Sequence, residues 1–551
     1  HDADGNGRLD FGELRGVLHK LERDHGVPLP DHATTERLLK RFDVNGDQCL
    51  DFDEFFEMLV SALRRTAFDP SMDQGRDFFV TKQEGLIWSS YDRIKKLGEG
   101  SFGEAYLCQR RLVGGEMAAP SEKRAVKAVR KSRARIPVED IEREIIALRQ
   151  LDHPHILRLF EWYEDDSQVY LVLDYLRGGT LREVVLDLQK VRKSKLKEEW
   201  TRRVMRQVLE AMAYCHRLRL IHMDLKDENI MLLNREDGSF ASEPFVVIID
   251  LGIAEMFSLS DPQCKTIGGT PLTMAPEVWS NAAGPKCDVW SLGCIFFELL
   301  AGQMPFVADT LERADWIKLH RRGPTWSLVR TSKPSRELCC DMLTFQEAGR
   351  PTMAECLLHD WFKIGDHEML SVSAEQFASL ASFYRETAVK RALFFEIASR
   401  LPIECGQSVA EIFNEFDTDR NGIVSREELR SFFKRLGLHD QDLADRTFEA
   451  LDVNQDGALS FSEMSSGVLI FFRDLVDERL RALFLERWDG KGDGLNAEGL
   501  RAFFHGAAKL HSISGARSAQ IMRQLEQESQ RRRIRFDEVR DLLLGTASPP
   551  Q

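Results

Sequence analysis

Apolar and polar positions follow three rhythms along this chain, and the changes of rhythm mark its parts. From about Tyr91 the sequence is strand-like, with apolar alternation in "RAVKAV" and "VYLVLDYL" around a glycine-rich turn, "LGEGSFGEA". A helix-like stretch, "VEDIEREIIALRQL", follows the first of these, and helical spacing dominates later, as far as about Phe362. The block from Tyr91 to Phe362 therefore reads as a small β-rich lobe followed by a larger α-rich lobe. Beyond it, Phe377, Leu380, Tyr384 and Ala388 share one helical face, and Leu393, Phe394 and Ile397 continue the apolar contacts. With Arg385, Lys390, Arg391 and Arg400 nearby, Ser373 to Leu401 predicts a basic amphipathic helix.

The third rhythm is a repeat of acidic loops between apolar helical segments. "DTDRNGIVSREE" sits between Ile412, Phe413 and Phe416 on one side and Leu429, Phe432 and Phe433 on the other. Its spacing is that of an EF-hand calcium loop, in which alternate oxygens, one backbone carbonyl and a bidentate final Glu wrap one ion. The predicted ligands are Asp417, Asp419, Asn421, Ile423 through its carbonyl, Ser425 and Glu428. "DVNQDGALSFSE" repeats the pattern with Asp452, Asn454, Asp456, Ala458, Ser460 and Glu463. "DADGNGRLDFGE" opens the chain with Asp2, Asp4, Asn6, Arg8, Asp10 and Glu13, and "DVNGDQCLDFDE" follows with Asp43, Asn45, Asp47, Cys49, Asp51 and Glu54. Gln48 stands in this second loop where the turn favours Gly, which weakens the site without removing a ligand. A single match could be a solvated acidic loop; four in two pairs make calcium binding the better reading. "DGKGDGLNAEGL", read from Asp489 to Leu500 with Glu498 out of place, and "QESQRRRIRFDE", Gln527 to Glu538, look decayed. Both are expected to pair and pack without holding calcium.

Composition narrows the function classes. The 551 residues allow several domains, and a formal charge of −14 argues against nucleic-acid binding. Ten cysteines without a Cys-x-x-Cys pair read as reduced thiols and not as a disulfide framework or zinc site. No apolar run approaches the roughly 20 residues that span a bilayer. The expected location is the cytoplasm, in a monomeric protein. The chain opens at His1 inside a calcium loop, so the start reads as truncated, with membrane attachment through a preceding segment left open.

The central block carries the chemistry. Gly98, Gly100 and Gly103, within Leu97, Gly98, Glu99, Gly100, Ser101, Phe102, Gly103, Glu104 and Ala105, would let backbone amides approach phosphate oxygens, although a plain hairpin gives the same pattern. Lys127 on the next strand would hold the α- and β-phosphates, paired with Glu144; alone, Glu144 reads equally as a surface carboxylate. "HMDLKDENIMLL" then supplies Asp224 to orient the acceptor hydroxyl, Lys226 to neutralise the transferring phosphoryl group and Asn229 as a magnesium ligand. "IIDLG" gives Asp250 as the main magnesium ligand, "MAPE" closes the segment at Glu277, Arg350 is its expected partner, and "DVWSLG" fits a buried helix.

In order and spacing these motifs resemble the eukaryotic protein-kinase domain over the whole block. Lys226 and Thr270 look like its serine/threonine branch. The order of kinase, helical junction and EF-hands, with the lead-in "FFVTKQEGLIWSSYDRIKKLGEGSFG", is similar to the calcium-dependent protein kinases. That resemblance implies ATP and Mg2+ in the cleft, with Asp174 at the nucleotide, Ca2+ in the EF-hands, and protein substrates with Ser or Thr acceptors. It also implies an autoinhibitory junction that the EF-hands capture when calcium exposes their apolar groove. A packing helix of the large lobe is the plainer alternative for that segment.

The expected fold class is multidomain α+β, a bilobal protein-kinase fold flanked by all-α EF-hand domains. The expected parts are an EF-hand pair at 1–65, a linker at 66–90, the kinase domain at 91–362, the junction at 363–408 and four EF-hands at 409–545. Several residues depart from the pattern. Met223 stands where the catalytic loop carries Arg, so it cannot receive an activation-loop phosphate. With Lys127, Asp224, Lys226, Asn229 and Asp250 all present, this reads as an active enzyme switched by calcium alone; drift at a tolerant position, or a calcium-sensing pseudokinase scaffold, are the alternatives. Leu251 replaces the usual Phe, and Ala105 stands where Val often packs on adenine. Thr180 replaces a basic-residue-reading Glu while Glu228 remains, so a preference for basic substrates is weakened.

Overall fold

The computed structural model describes residues 8–9, 50–51, 76–100, 103–111, 123–131, 138–190, 196–236, 239–240, 243–251, 255–256, 270–280, 283–309, 312–363, 379–435, 440–504, 527 and 529–544. The chain divides into two units, 1–78 and 79–551. In the first, Arg8–Leu9 and Leu50–Asp51 pair antiparallel with Leu9 opposite Leu50. These are the eighth residues of the two loops that open at Asp2 and Asp43, the place where paired EF-hand loops meet. The rest of both loops, with Ser101, Phe102 and Phe377, lies outside the described residues.

The second unit opens with a six-stranded sheet. Its strands are β1 (Thr81–Lys82), β2 (Tyr91–Gly100), β3 (Gly103–Arg110), β4 (Lys123–Arg130), β5 (Leu159–Glu164) and β6 (Gln168–Asp174), in the order β1-β5-β6-β4-β3-β2. Only the β1–β5 pairing among these is parallel. Alternation decides what each face does: in β4, Arg124, Val126 and Ala128 are buried while Lys127 between them is half-buried, so its side chain leaves toward the opposite face. Helix α1 (Val138–Gln150) packs there through Ile141, Ile145 and Leu148.

The large lobe is built on α3 (Glu198–Arg217) and α4 (Lys286–Ala301), which follow α2 (Leu181–Lys190). Helix α3 buries Trp200, Val204, Val208, Ala211 and Cys215, a single stripe at helical spacing. Helix α4 is buried on every side from Cys287 to Leu300, as its nearly continuous apolar run demands, and stops at Gly302 in the left-handed conformation. A short ladder of β7 (Ile230–Leu232) and β8 (Val246–Ile248) carries the catalytic loop and the segment leading to Asp250.

The junction departs from the single helix expected over Ser373 to Leu401. Residues 364–378 are outside the described set, and Phe383–Arg385 is a separate 3-10 turn. The helix proper is α5 (Ala388–Ser399), started by Thr387, whose Oγ1 accepts from Lys390 N at 3.3 Å. Pro402 then opens α6 (Ile403–Phe416), the entering helix of the first C-terminal EF-hand. A threonine cap and a proline reset the backbone that apolar spacing alone joined together.

Helix α5 is buried along nearly its whole length, including Val389, Leu393, Phe394, Phe395 and Ile397. Its neighbours are α9 (Phe461–Val468) and α10 (Arg473–Glu486), beside kinase residues Leu176, Leu233, Phe245 and Val247 in one apolar core. Each large side chain buried this way is worth about 1.5–3 kcal/mol, against about 0–1 for an exposed ion pair. Apolar burial therefore holds the helix, and its basic residues are secondary. The other EF-hand helices among the described residues are α7 (Arg426–Arg435), α8 (Gln441–Leu451), α11 (Ala497–Phe503) and α12 (Phe536–Leu544). Val424 bridges Leu459 and Leu495 bridges Ile534, so the four C-terminal loops meet in two pairs.

Candidate active site and calcium loops

Lys127 is the centre of the cleft's small-lobe side. Its Nζ donates to Glu144 Oε1 at 2.7 Å and to Asp250 Oδ1 at 3.0 Å. Burial opposes its charge, but the two carboxylates outweigh it and hold the ammonium above the ordinary lysine range. Asp250 responds in kind: burial pushes its carboxyl up, and Lys127 more than reverses this, leaving it below the usual carboxylate value. The surface alternative for Glu144 is thus excluded by position, since α1 brings it buried against Lys127. Gly98 pairs with Ala105 and Gly100 with Gly103 across the β2–β3 hairpin. Leu97 is partly exposed on it, and Glu99 and Glu104 both bind Lys96.

Across the cleft, Lys226 Nζ donates to Asp224 Oδ2 at 2.6 Å, and Thr270 Oγ1 donates to Asp224 Oδ1 at 2.7 Å. Asn229 Nδ2 donates to the Asp224 carbonyl at 2.9 Å, which leaves the amide oxygen of Asn229 as its donor toward a cation. That oxygen and the Asp250 carboxylate are hard donors of the kind a small divalent cation takes. Arg350, buried, grips Glu277 with two bonds of 2.7 and 3.0 Å.

The catalytic loop is pinned from below. Asp288, fully buried at the start of α4, accepts from His222 N at 2.9 Å and from Met223 N at 3.0 Å, and contacts His216 Nε2 at 2.9 Å. Met223 has φ +66° and Asp250 φ +61°, both in the left-handed region that costs a non-glycine residue energy. The motif "DVWSLG" alone predicts only a buried helix and not this anchor; a charged residue inside such an apolar run was the available signal.

The carboxylate of Asp174, expected at the nucleotide, accepts from two backbone N–H groups. Its Oδ1 accepts from Ile403 N at 3.0 Å, at the start of α6, and its Oδ2 from Arg158 N at 3.3 Å. Arg158, which no motif marks, is buried and donates to the carbonyls of Ala398 at 3.3 Å and Leu401 at 3.0 Å, closing the carboxyl end of α5.

In the first intact loop, carboxylate oxygens of Asp417, Asp419 and Glu428 lie within 4.8 Å of one another, as ligands of one calcium ion must. Burial, with Glu428, Glu210 and Asp419 nearby, pushes the Asp417 carboxyl up to about 8. Glu428 accepts Thr418 N at 2.9 Å on one oxygen and Ser425 N at 2.8 Å on the other, so both oxygens face the loop. Ile423 N donates to Asn421 Oδ1 at 3.0 Å, keeping the loop's turn closed. In the second loop Glu463 accepts Val453 N at 2.8 Å and Ser460 N at 2.9 Å, and burial pushes its carboxyl up to about 7. Asp452 Oδ1 is buried without a hydrogen-bond partner, an orphaned oxygen that a cation would satisfy. Asn454 and Asp456 hydrogen-bond each other, and Asp456 Oδ1 accepts Ala458 N at 2.9 Å.

The third C-terminal loop is out by one residue from the register expected of its sequence. Its bridge falls on Leu495 and its helix cap on Asn496, where the intact loops have the eighth and ninth residues. Counting onward, Gly499 and not Leu500 takes the final place, and a Cβ there would lie 2.5 Å from the Arg487 carbonyl. No ligand side chain fits. The guanidinium of Arg533, from the fourth loop, reaches Asp489 at 2.6 and 2.8 Å and the Gly494 carbonyl at 2.9 Å, while Arg532 holds Glu538. This pair carries its cations in its own side chains.

Comparison with known proteins agrees with this geometry. A protein kinase domain family matches residues 91–362, and an EF-hand domain pair family matches residues 1–60 and 407–469. The chain is 33% identical to calcium-dependent protein kinase 16 of Oryza sativa subsp. japonica, over 74% of its own length and 73% of that protein. It is 29% identical to calcium-dependent protein kinase 5 of Plasmodium berghei (strain Anka), over 75% and 72%. A match to calcium-dependent protein kinase 6 of the same species, at 26% identity, takes in 99% of this chain but only 36% of that relative, so the chain spans about a third of its length. No helix among the described residues is long and apolar enough to cross a membrane. With its kinase cleft and paired EF-hand loops, the chain belongs to the calcium-dependent protein kinases, serine/threonine kinases that use ATP and carry their own calcium-binding domains.

Proposed function

We propose that this chain transfers the γ-phosphoryl group of ATP to serine or threonine hydroxyls of proteins, and does so when calcium fills its EF-hand loops. When bound, ATP supplies the phosphoryl group and a divalent cation, here Mg2+, spreads its charge. Lys127, steadied by Glu144, would hold the α- and β-phosphates, and backbone amides of Gly98, Gly100 and Gly103 would approach them from the β2–β3 hairpin. Asp224 accepts the proton side of the acceptor hydroxyl and points it in line. Lys226 neutralises the transferring group, and Thr270 keeps Asp224 and Lys226 in register. Asn229 and Asp250 would hold the magnesium, for which their oxygen donors are suited.

The observation that carries this reading is the joint arrangement of cleft and junction. The Lys127–Glu144 pair is formed at 2.7 Å while α5 is held by Arg158 and buried among EF-hand side chains. We read this as the arrangement of a released enzyme, with α5 captured by the EF-hand helices. Loops Asp417–Glu428 and Asp452–Glu463 are the C-terminal calcium sites, and Asp2–Glu13 and Asp43–Glu54 are a second, N-terminal pair. The enzyme acts as a monomer in the cytoplasm, with its parts at 1–65, 66–90, 91–362, 363–408 and 409–545. Transfer of labelled phosphate from ATP to a serine-containing basic peptide, measured in calcium and in chelator, tests the proposal; equal rates in the two would refute it.

A further inference from the structure

A cavity of about 40 Å³ lies between the small-lobe sheet, the carboxyl end of α5 and helix α10. Arg124 lines it from β4, and strand alternation sends Arg124 and Lys127 to opposite faces, so this is not the nucleotide cleft. Four arginines, Arg110, Arg124, Arg400 and Arg479, and two glutamates, Glu161 and Glu486, line it, an excess of two positive charges. Both glutamates are engaged. Glu161 accepts from the Tyr91 hydroxyl at 2.7 Å and the Tyr163 hydroxyl at 3.2 Å, and lies 3.8 Å from Arg110. Glu486 meets Arg110 at 3.3 Å and Arg400 at 3.0 Å. Burial pushes its carboxyl up, but Arg110, Arg400 and Arg487 more than reverse this and hold it at about 2. Arg124 is placed differently. It is buried, with its guanidinium over the Phe160 ring at 4.0 Å. Among the described residues its one hydrogen bond is a long 3.5 Å to the Lys123 carbonyl, and no carboxylate pairs with it.

We propose that this cavity is a binding site for a free tetrahedral oxyanion, phosphate or sulfate, with Arg124 as its main counter-charge and Arg400 and Arg479 completing the cradle. A buried cation is costly unless an anion offsets it, and the planar fork of arginine matches the oxygens of such an ion. Size selects the bare ion: the cavity has room for about three waters at roughly 10–15 Å³ each, too little for a peptide or a nucleotide. Bound there, the ion would join β4 to α10 and to the end of α5 through charge-assisted hydrogen bonds. It would stabilise the folded chain by mass action, since the unfolded chain lacks the cradle.

The test titrates sulfate into the full chain by calorimetry, in micromolar calcium, with a non-hydrolysable ATP analogue and Mg2+ keeping the cleft filled. Sulfate is the probe because it stays doubly charged across neutral pH and leaves micromolar calcium in solution. One sulfate per chain should bind, and sulfate should raise the melting temperature more than chloride of equal ionic strength. Arg124→Gln should weaken binding about tenfold or more, as expected for loss of hydrogen bonds between charged groups. Arg124→Lys, which keeps the charge, should weaken it less, and Arg479→Gln should weaken it in the same direction as Arg124→Gln. Inorganic phosphate should bind like sulfate, and O-phosphoserine more weakly, because its carbon chain has no room. No sulfate binding by the parent overturns the inference, as does the same affinity in Arg124→Gln as in the parent. If Arg124→Gln fails to fold, Arg479→Gln decides by the same criterion. Tighter binding of O-phosphoserine than of phosphate would overturn the assignment to a free ion. The readout is binding, so it stands or falls apart from phosphoryl transfer.

Discussion

The backbone N–H of Met223 is held by the Asp288 carboxylate at 3.0 Å, at the residue where other kinases place an arginine. The neighbouring His222 N–H is held by the same group at 2.9 Å, so the catalytic loop is fixed from α4 whatever side chain stands at 223. That separates two jobs: holding the loop, which Asp288 does, and receiving a phosphate, which a buried thioether cannot do.

Phosphate on the activation segment should therefore be dispensable. Phosphatase-treated protein, and a variant with Ser258, Ser260 and Thr266 all changed to Ala, should keep calcium-stimulated activity. Met223→Arg should add none, because its guanidinium would enter a largely buried place with no phosphate to hold. A dephosphorylated enzyme inactive in saturating calcium would show this account of Met223 to be wrong.

Asp224→Asn and Asp250→Ala should each lower kcat by about a hundredfold or more, since both groups act by position and charge in the transition state. Melting temperatures within a few degrees of the parent would show that the loss is chemical. Retention of half the parent kcat by either variant would contradict the assignment.

The kinase motifs and the intact calcium loops were legible because their chemistry fixes residue type at fixed spacing. Lys127, Asp224 and Asp250 could be named from sequence, and their meeting followed from the fold. What escaped was whatever depends on partners far apart in the chain. Arg158 carried no sequence signal and Asp174 was expected only at the nucleotide, yet they close the facing ends of α5 and α6 more than two hundred residues away. The junction helix was overextended because spacing does not reveal that Thr387 restarts the backbone. The slip in the loop at Asp489 had a similar cause: only the Leu495–Ile534 bridge sets its register.

Calcium control should rest on Glu428 and Glu463, each of which offers two oxygens to the ion. Changing both to Gln should raise the calcium needed for activation at least tenfold or abolish it. Gly499→Glu should not create a third C-terminal site, because the new Cβ would strike the Arg487 carbonyl. Calorimetric stoichiometry reads this directly, and an added calcium per chain in Gly499→Glu would contradict the register set by the Leu495–Ile534 bridge.

Acid should weaken the large lobe through His320. The ring is buried against Trp290, Phe306 and Trp316, and burial pulls its pKa down to about 4, with Arg350 adding to the effect. Between that value and the unfolded one near 6.5, the unfolded chain binds the proton and the folded chain does not. Stability at this group is thus complete above about pH 6.5 and lost as pH falls toward 4. His320→Leu should flatten that part of the profile in urea titrations at pH 7 and pH 5. An equal acid loss in the variant and the parent would refute the assignment.

The most direct test of the whole account is one rate measured twice. Phosphoryl transfer by the full chain to a serine-containing basic peptide, with ATP and Mg2+ present, should be low in chelator and rise at least tenfold in micromolar calcium. No transfer at saturating calcium, or the same rate with and without it, would contradict a calcium-activated kinase.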